Sequence, residues 1–337
     1  MAAMRPAGAP PAARLYTVLG VAVAAVSMAA IFIRLADAPG VVVALYRMAI
    51  ASLVMVPITL RGLRRTPIRG RALAWTVLAG LALAVHFAAW ITSLGYTSVA
   101  ASVTLVATSP LFAALFAWLF LGLAPSLGVM VGVLLAVAGA AVIGFGDLTG
   151  GSAPVLGDAL ALLGAAAAAA YLLLGRAVQR SGVGLDAYAG SAYGVAALVL
   201  LPLPWVLGYA YVDYPLASFG WIALLALVPQ LVGHTGLNYA ARHLDPTLVT
   251  TATLLEPVGS GILALALFGE VPGAMTLVGA VILLTGVILT VRSTGGRVAP
   301  APDATGRDPA EPPPPPATAL PQADVDGAAA RAPDARL

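Results

Sequence analysis

Long apolar runs, interrupted by Pro, Gly and arginine, dominate this chain. A bilayer core needs about 20 apolar residues per helix. Runs of that kind fall at 15–34, 41–60, 72–94, 99–121 and 125–145, and again at 157–177, 187–208, 217–241, 246–268 and 273–292. The pattern predicts an all-α integral membrane protein with ten transmembrane helices. Its expected organisation is a cytoplasmic segment 1–14, a five-helix unit 15–145, an outer linker 146–156, a second five-helix unit 157–292, and a tail 293–337. The run Leu15–Ile33 is long enough to span and nothing like a cleavage site follows it, so it reads as a retained helix rather than a signal peptide. The tail carries the proline run Pro312–Pro316 amid Ala, Asp and isolated Arg, a composition expected to stay disordered in the cytoplasm.

A shift of 147 residues lays the fourth and fifth apolar runs on the ninth and tenth without a gap. Thr104 meets Thr251, Pro110 meets Pro257, Gly122 meets Gly269 and Pro125 meets Pro272. Gly132 then meets Gly279, and Gly139 meets Gly286. Most matches are Gly and Pro, residues selected for backbone geometry, whereas chance similarity between apolar stretches favours Leu and Ala. With one residue of slippage His86 also overlays His234. A unit with an odd number of helices enters the membrane from the opposite face at its second occurrence. The two five-helix repeats are therefore expected to be inverted, an arrangement typical of secondary transporters with a midplane site.

Composition agrees. Hydrophobic residues make up 61% and charged residues 9%, against roughly a quarter charged in soluble domains; mean hydropathy is +0.97. Cysteine is absent, which removes disulfides, thiolate metal sites and cysteine nucleophiles. The seventeen basic residues are all arginine and sit between apolar runs, a topology signal rather than a nucleic-acid footprint. With the N-terminus placed inside, Arg5, Arg14, Arg61, Arg64, Arg65, Arg69, Arg71, Arg176, Arg180, Arg242, Arg292 and Arg297 all fall on the inner side. The outer loops receive Arg34 with Asp37, Asp147 and Asp213. This bias predicts a multi-pass protein of the plasma membrane with both termini in the cytoplasm.

The duplicated unit, with Arg34 closing helix one and Arg47 early in helix two, resembles the EamA-type members of the drug/metabolite transporter superfamily over residues 15–292. The segments "SLGYTSVAASVTLVATSPLF" and "LNYAARHLDPTLVTTATLLEPVGSGILALALFGE" are similar to that family's pattern around the paired prolines and the closing Gly-Glu. The first half departs from it: "FLGLAP" holds Leu123 where a Glu is common, leaving Glu270 without a counterpart. The resemblance implies transport of small metabolites through a cavity between the halves, lined by helices 1, 3, 4, 6, 8 and 9.

Polar residues inside the spans are the site candidates. Glu256 lies about ten residues into helix nine and precedes Pro257. It fits equally a proton-coupling or substrate-amine site and a carboxyl that satisfies backbone groups freed by the proline. Gln230, His234 and Asn238 fall at i, i+4 and i+8 on helix eight, one stripe that suits a cavity better than lipid. Against cavity lining stands plain interhelical hydrogen bonding. His86 and Trp90 share a face of helix three; Trp90 either stacks on a substrate or belongs to an interfacial belt. Tyr171 sits among alanines that leave room for a cavity or a close helix contact. Arg47 either holds a substrate carboxylate, pairs with an acid, or snorkels to the outer headgroups. Gly128, Gly132, Gly279 and Gly286 suit helix packing or a dimer interface, so the state is monomer or homodimer.

The expected function is secondary transport, namely export of amino acids or related small organic solutes by alternating access. A facilitator or channel is the nearest alternative. An intramembrane enzyme is disfavoured: with three His and no Cys the chain has few nucleophiles or ligands, and no catalytic residues, metal or cofactor are expected. A membrane sensor or scaffold would need a soluble signalling domain. The expected partners are a small-molecule solute and membrane lipid, with no nucleic acid.

Overall fold

A computed structural model describes residues 11–121, 124–146, 151–241 and 252–294. The expected disordered tail, most of the N-terminal segment, Leu123 and the 242–251 connection lie outside the described residues. The described chain is helical, without a strand among the described residues. In order come α1 (Ala12–Ser27), α2 (Ala29–Ala36), α3 (Gly40–Arg65), α4 (Gly70–Ser93), α5 (Val99–Val106), α6 (Ser109–Leu121) and α7 (Leu127–Gly146). There follow α8 (Pro154–Arg180), α9 (Leu185–Leu200), α10 (Leu203–Val206), α11 (Leu216–Leu225), a π-helix (Ala226–His234), α12 (Thr235–Ala241), α13 (Glu256–Phe268) and α14 (Ala274–Thr294). Among the described residues seven stretches are long and apolar enough to cross a membrane: Ala13–Ala36, Gly40–Arg65, Gly70–Ser93, Val99–Phe120, Pro154–Arg180, Leu185–Val206 and Leu216–Leu237. Leu127–Ile143, Glu256–Phe268 and Ala274–Thr290 are shorter apolar helices. Large side chains such as Leu53, Leu119, Phe120, Leu134, Leu198 and Val281 point outward, as lipid-facing helices require.

Several apolar runs are not continuous helices. The α5–α6 break falls at Ala107–Thr108, and the stretch before α13 breaks at Leu254–Leu255, positions that correspond under the 147-residue shift. Both breaks precede a proline, Pro110 or Pro257, that offers no N–H and crowds the carbonyl one turn back. The first run is also divided, at Met28. There the Ser27 hydroxyl donates to the carbonyl of Val23 (2.9 Å), the back-bonding that bends helices. The Ser27 carbonyl accepts from the Ser260 hydroxyl of α13 at 2.9 Å, so the gap is filled from the other half of the chain.

Helix contacts follow the repeat. The equivalent helices α7 and α14 pack against each other, as do α3 and α9. The pairing of α4 with α8 has its counterpart in α1 against the π-helix and α12. At the α7–α14 crossing a Cβ on Gly132 would lie 2.6 Å from the Gly286 carbonyl oxygen, and one on Gly286 2.5 Å from that of Gly132. Gly139 and Gly279 stand in the same relation, at 2.7 and 2.8 Å. The small faces of Gly132, Gly279 and Gly286 are therefore occupied within one chain, and Gly128 abuts Ser293 of α14. They bring two backbones together where no side chain fits.

At the end of the bundle that carries Asp37, Glu270 closes α13 and reaches the start of α5. The Val99 N–H donates to Glu270 Oε1 at 2.7 Å, at a helix N-terminus that favours a carboxylate. Arg34 donates to the Thr97 carbonyl at 2.9 Å and lies 3.9 Å from Glu270 Oε2, the only ion pair among the described residues.

Candidate functional site

The candidate polar residues converge around Phe87. Arg47 sits two turns into α3 and is 0% exposed. Its Nε and Nη2 donate to Gln230 Oε1 at 3.0 and 2.7 Å, and its guanidinium carbon lies 4.0 Å from the Phe87 ring centroid. A charge at mid-membrane costs about 2.5–3.5 kcal/mol on insertion scales. Hydrogen bonds to a charged group contribute about 1.5–3 kcal/mol, and a desolvated cation–π contact about 2 kcal/mol. The Gln230 and Phe87 contacts together therefore offset the burial, and the guanidinium remains within the protein. Snorkelling to the headgroups, one sequence expectation for Arg47, does not occur: its hydrogen bonds hold it inward.

Gln230 reaches Arg47 from the π-helix, which also carries Pro229 and His234. The wide π turn sits beside a proline that cannot donate in the helical ladder, and such turns recur at functional positions. Gln230 is also within hydrogen-bonding reach of the Tyr193 hydroxyl on α9. Its side chain thus makes interhelical contacts rather than standing free in a cavity. His234, half-buried, meets the Phe87 ring edge-on at 6.4 Å. Asn238 belongs to α12, and its side chain lies outside the described residues.

From α4, His86 lies against Phe87 (4.6 Å) and stacks on Trp90 (5.9 Å, 12° between planes). His86 Nδ1 is 2.8 Å from the Gly164 carbonyl of α8, so that nitrogen carries the proton and donates. His86 and His234, counterparts in the repeat, thus contact the same ring. Trp90 is 3% exposed, which removes it from any interfacial belt, and its ring lies 5.8 Å from the Arg47 guanidinium carbon. Glu256 is the first residue of α13, at the half-helix N-terminus created by the break before Pro257. It is half-buried and within electrostatic range of Arg47, without a direct ion pair between them among the described residues. Tyr171 is set apart, stacked on Tyr188 at 6.1 Å in the packing between α8 and α9.

Phe87 and Tyr193 complete the cluster and were not singled out by sequence. Phe87 is one apolar residue among many, and Tyr193 lies in the Ala- and Gly-rich run of α9. Only the adjacency of Phe87 to His86 marked it. Among the described residues no group of His, Asp and Glu is arranged to hold a metal ion.

The family model described as EamA-like transporter family matches residues 12–145 and 155–292. A curated relative, the "Probable terminal-alkyne amino-acid exporter" of Streptantibioticus cattleyicolor, is 30% identical over 194 residues. That alignment spans 57% of this chain and 64% of the relative, less than two thirds of its length. A solved structure described only as "Crystal structure of protein" aligns with a TM-score of 0.56 at 19% identity, covering 82% of this chain and 96% of that one, and so shares the fold. The duplicated match places both halves in one family: the chain is a multi-pass membrane protein and belongs to the EamA-like transporter family.

Proposed function

We propose that this chain is a secondary transporter that exports amino acids or related small organic metabolites across the plasma membrane by alternating access. On this reading ten spans form two inverted halves, 15–145 and 157–292, with both termini in the cytoplasm. The observation that carries the proposal is the cluster around Phe87. It draws Arg47, His86 and Trp90 from the first half and Gln230 and His234 from the second, and Glu256, at the start of a broken helix, lies within electrostatic range of Arg47. A polar site shared by two pseudo-equivalent halves changes its surroundings when the halves rock, as alternating access needs. The name of the Streptantibioticus cattleyicolor relative supports an amino acid as cargo.

Glu256 is the proposed coupling residue. A carboxyl at a half-helix N-terminus inside the membrane exchanges a proton between states that differ in access to water. An uncoupled facilitator is the second reading, favoured by the absence of another carboxylate among the described members of the cluster. The test is uptake into proteoliposomes with a panel of amino acids, polyamines and dyes, with and without a pH gradient. Transport of an amino acid is expected, accelerated by the gradient and uncoupled from it in Glu256→Gln. If no solute moves under any gradient, the transporter reading fails; unchanged pH dependence in Glu256→Gln removes Glu256 as the proton site.

A further inference from the structure

We infer that Arg47 Nη1 and Trp90 Nε1 form a subsite for the carboxylate of the transported solute. The inference rests on the transporter reading above and deepens it. Both atoms are buried donors without a hydrogen-bond partner, a condition that native proteins rarely tolerate unless a ligand or an ion supplies the acceptor. Among the described residues three other buried side-chain atoms share that condition, and each has a local reason. Thr92 Oγ1 and Thr59 Oγ1 are wedged against Gly40 and Gly190 at tight helix crossings, where no ligand enters. Arg34 Nε belongs to the Arg34–Thr97–Glu270 closure.

Arg47 and Trp90 differ because they flank one aromatic surface. Phe87 lies under the guanidinium at 4.0 Å, and the Trp90 ring is 5.8 Å away. Gln230 holds Arg47 by Nε and Nη2, which fixes the plane of the fork and leaves Nη1 as the free donor. Stacking on His86 fixes the Trp90 ring in the same way. A carboxylate only accepts hydrogen bonds and carries one negative charge on two oxygens. It therefore matches one cationic donor plus one neutral donor, each taking one oxygen. Glu256, the first residue of α13 and within electrostatic range of Arg47, supplies the opposite charge for an ammonium group. Zwitterionic α-amino acids thus meet a complementary charge at each end. Arg47 and Trp90 are buried, whereas His234 and Glu256 each keep part of their surface exposed.

The test separates carboxylate from amine with matched probes: L-norvaline, its methyl ester, n-butylamine, and the twenty standard amino acids with their methyl esters. Binding to the purified full chain is read by thermal shift, and transport in proteoliposomes is read separately. At least one free acid is expected to bind at least about tenfold more tightly than its own ester, the loss expected when a charge-assisted hydrogen bond disappears. Trp90→Phe keeps an aromatic side chain and removes the donor, so it weakens the acid and leaves the ester unchanged. Arg47→Gln abolishes the preference. Esters binding as well as acids, no acid binding at all, or Trp90→Phe weakening acid and ester alike would each overturn the subsite. Acids that bind preferentially but are never transported under any gradient would leave the subsite standing and remove the transporter reading instead.

Discussion

A single buried cation organises the centre of this protein. Arg47 is retained there because two hydrogen bonds that it donates to one Gln230 oxygen, and the face of Phe87, replace the water it has lost. The same balance makes Gln230 a structural residue. Gln230→Leu strips the guanidinium of its described acceptor and is expected to lower stability by about 2–3 kcal/mol, since hydrogen bonds to charged groups contribute about 1.5–3 kcal/mol. Thermal unfolding in detergent measures this directly. Gln230→Glu, which keeps an acceptor at the same place, should retain most of the stability. A Gln230→Leu protein as stable as the parent would mean that Arg47 finds another partner.

At the scale of elements, prolines and glycines set the shape. Pro110 and Pro257 interrupt corresponding helices at corresponding positions, and the second break places Glu256 at a helix N-terminus, whose partial positive charge favours a carboxylate. The α7–α14 crossing is held by glycines that meet carbonyls of the partner helix on both sides of the pseudo-two-fold. Gly132→Ala inserts a methyl where a carbonyl oxygen stands 2.6 Å away, and so forces the helices apart. The expected cost is about 1–3 kcal/mol, the usual range for overpacking. Gly286→Ala is expected to cost a similar amount because it occupies the reciprocal position. Size-exclusion chromatography should show no change of oligomeric state in either variant. A change of state without loss of stability would instead assign these glycines to a dimer interface.

The whole molecule is asymmetric in one respect. Glu270 ties α13 to α5 and Arg34, whereas its repeat counterpart is Leu123, which offers neither charge nor acceptor. On the proposed alternating-access reading, this contact holds one end of the bundle closed. Glu270→Gln keeps the size and an acceptor but removes the charge, and is expected to loosen that end. Because the chain contains no cysteine, Ser102→Cys provides a clean reporter: Ser102 is fully buried one turn into α5, behind Val99. Its labelling by a membrane-impermeant maleimide should rise several-fold when Glu270→Gln is added. Unchanged labelling would show that the contact does not control access from that end.

The membrane-spanning class, the duplication and the family were all legible in the chain itself. Span length, Gly and Pro positions and arginine bias are one-dimensional signals, imposed by a bilayer of fixed thickness and by backbone geometry that depends on local sequence. His86, His234, Gln230, Arg47 and Glu256 were legible as candidates because a polar residue in an apolar run is costly wherever it points. What each of them touches was decided by tertiary structure. Sequence left Arg47 open to snorkelling and Trp90 to an interfacial belt, since depth along a helix does not say which way a side chain turns. Burial against the other half of the chain removed both alternatives. Phe87 and Tyr193 carried no signal because an aromatic residue in an apolar helix is ordinary until a cation or a glutamine packs against it. Sequence therefore determined the helical, membrane-spanning class and which residues must find partners; the packing of one half on the other determined who those partners are.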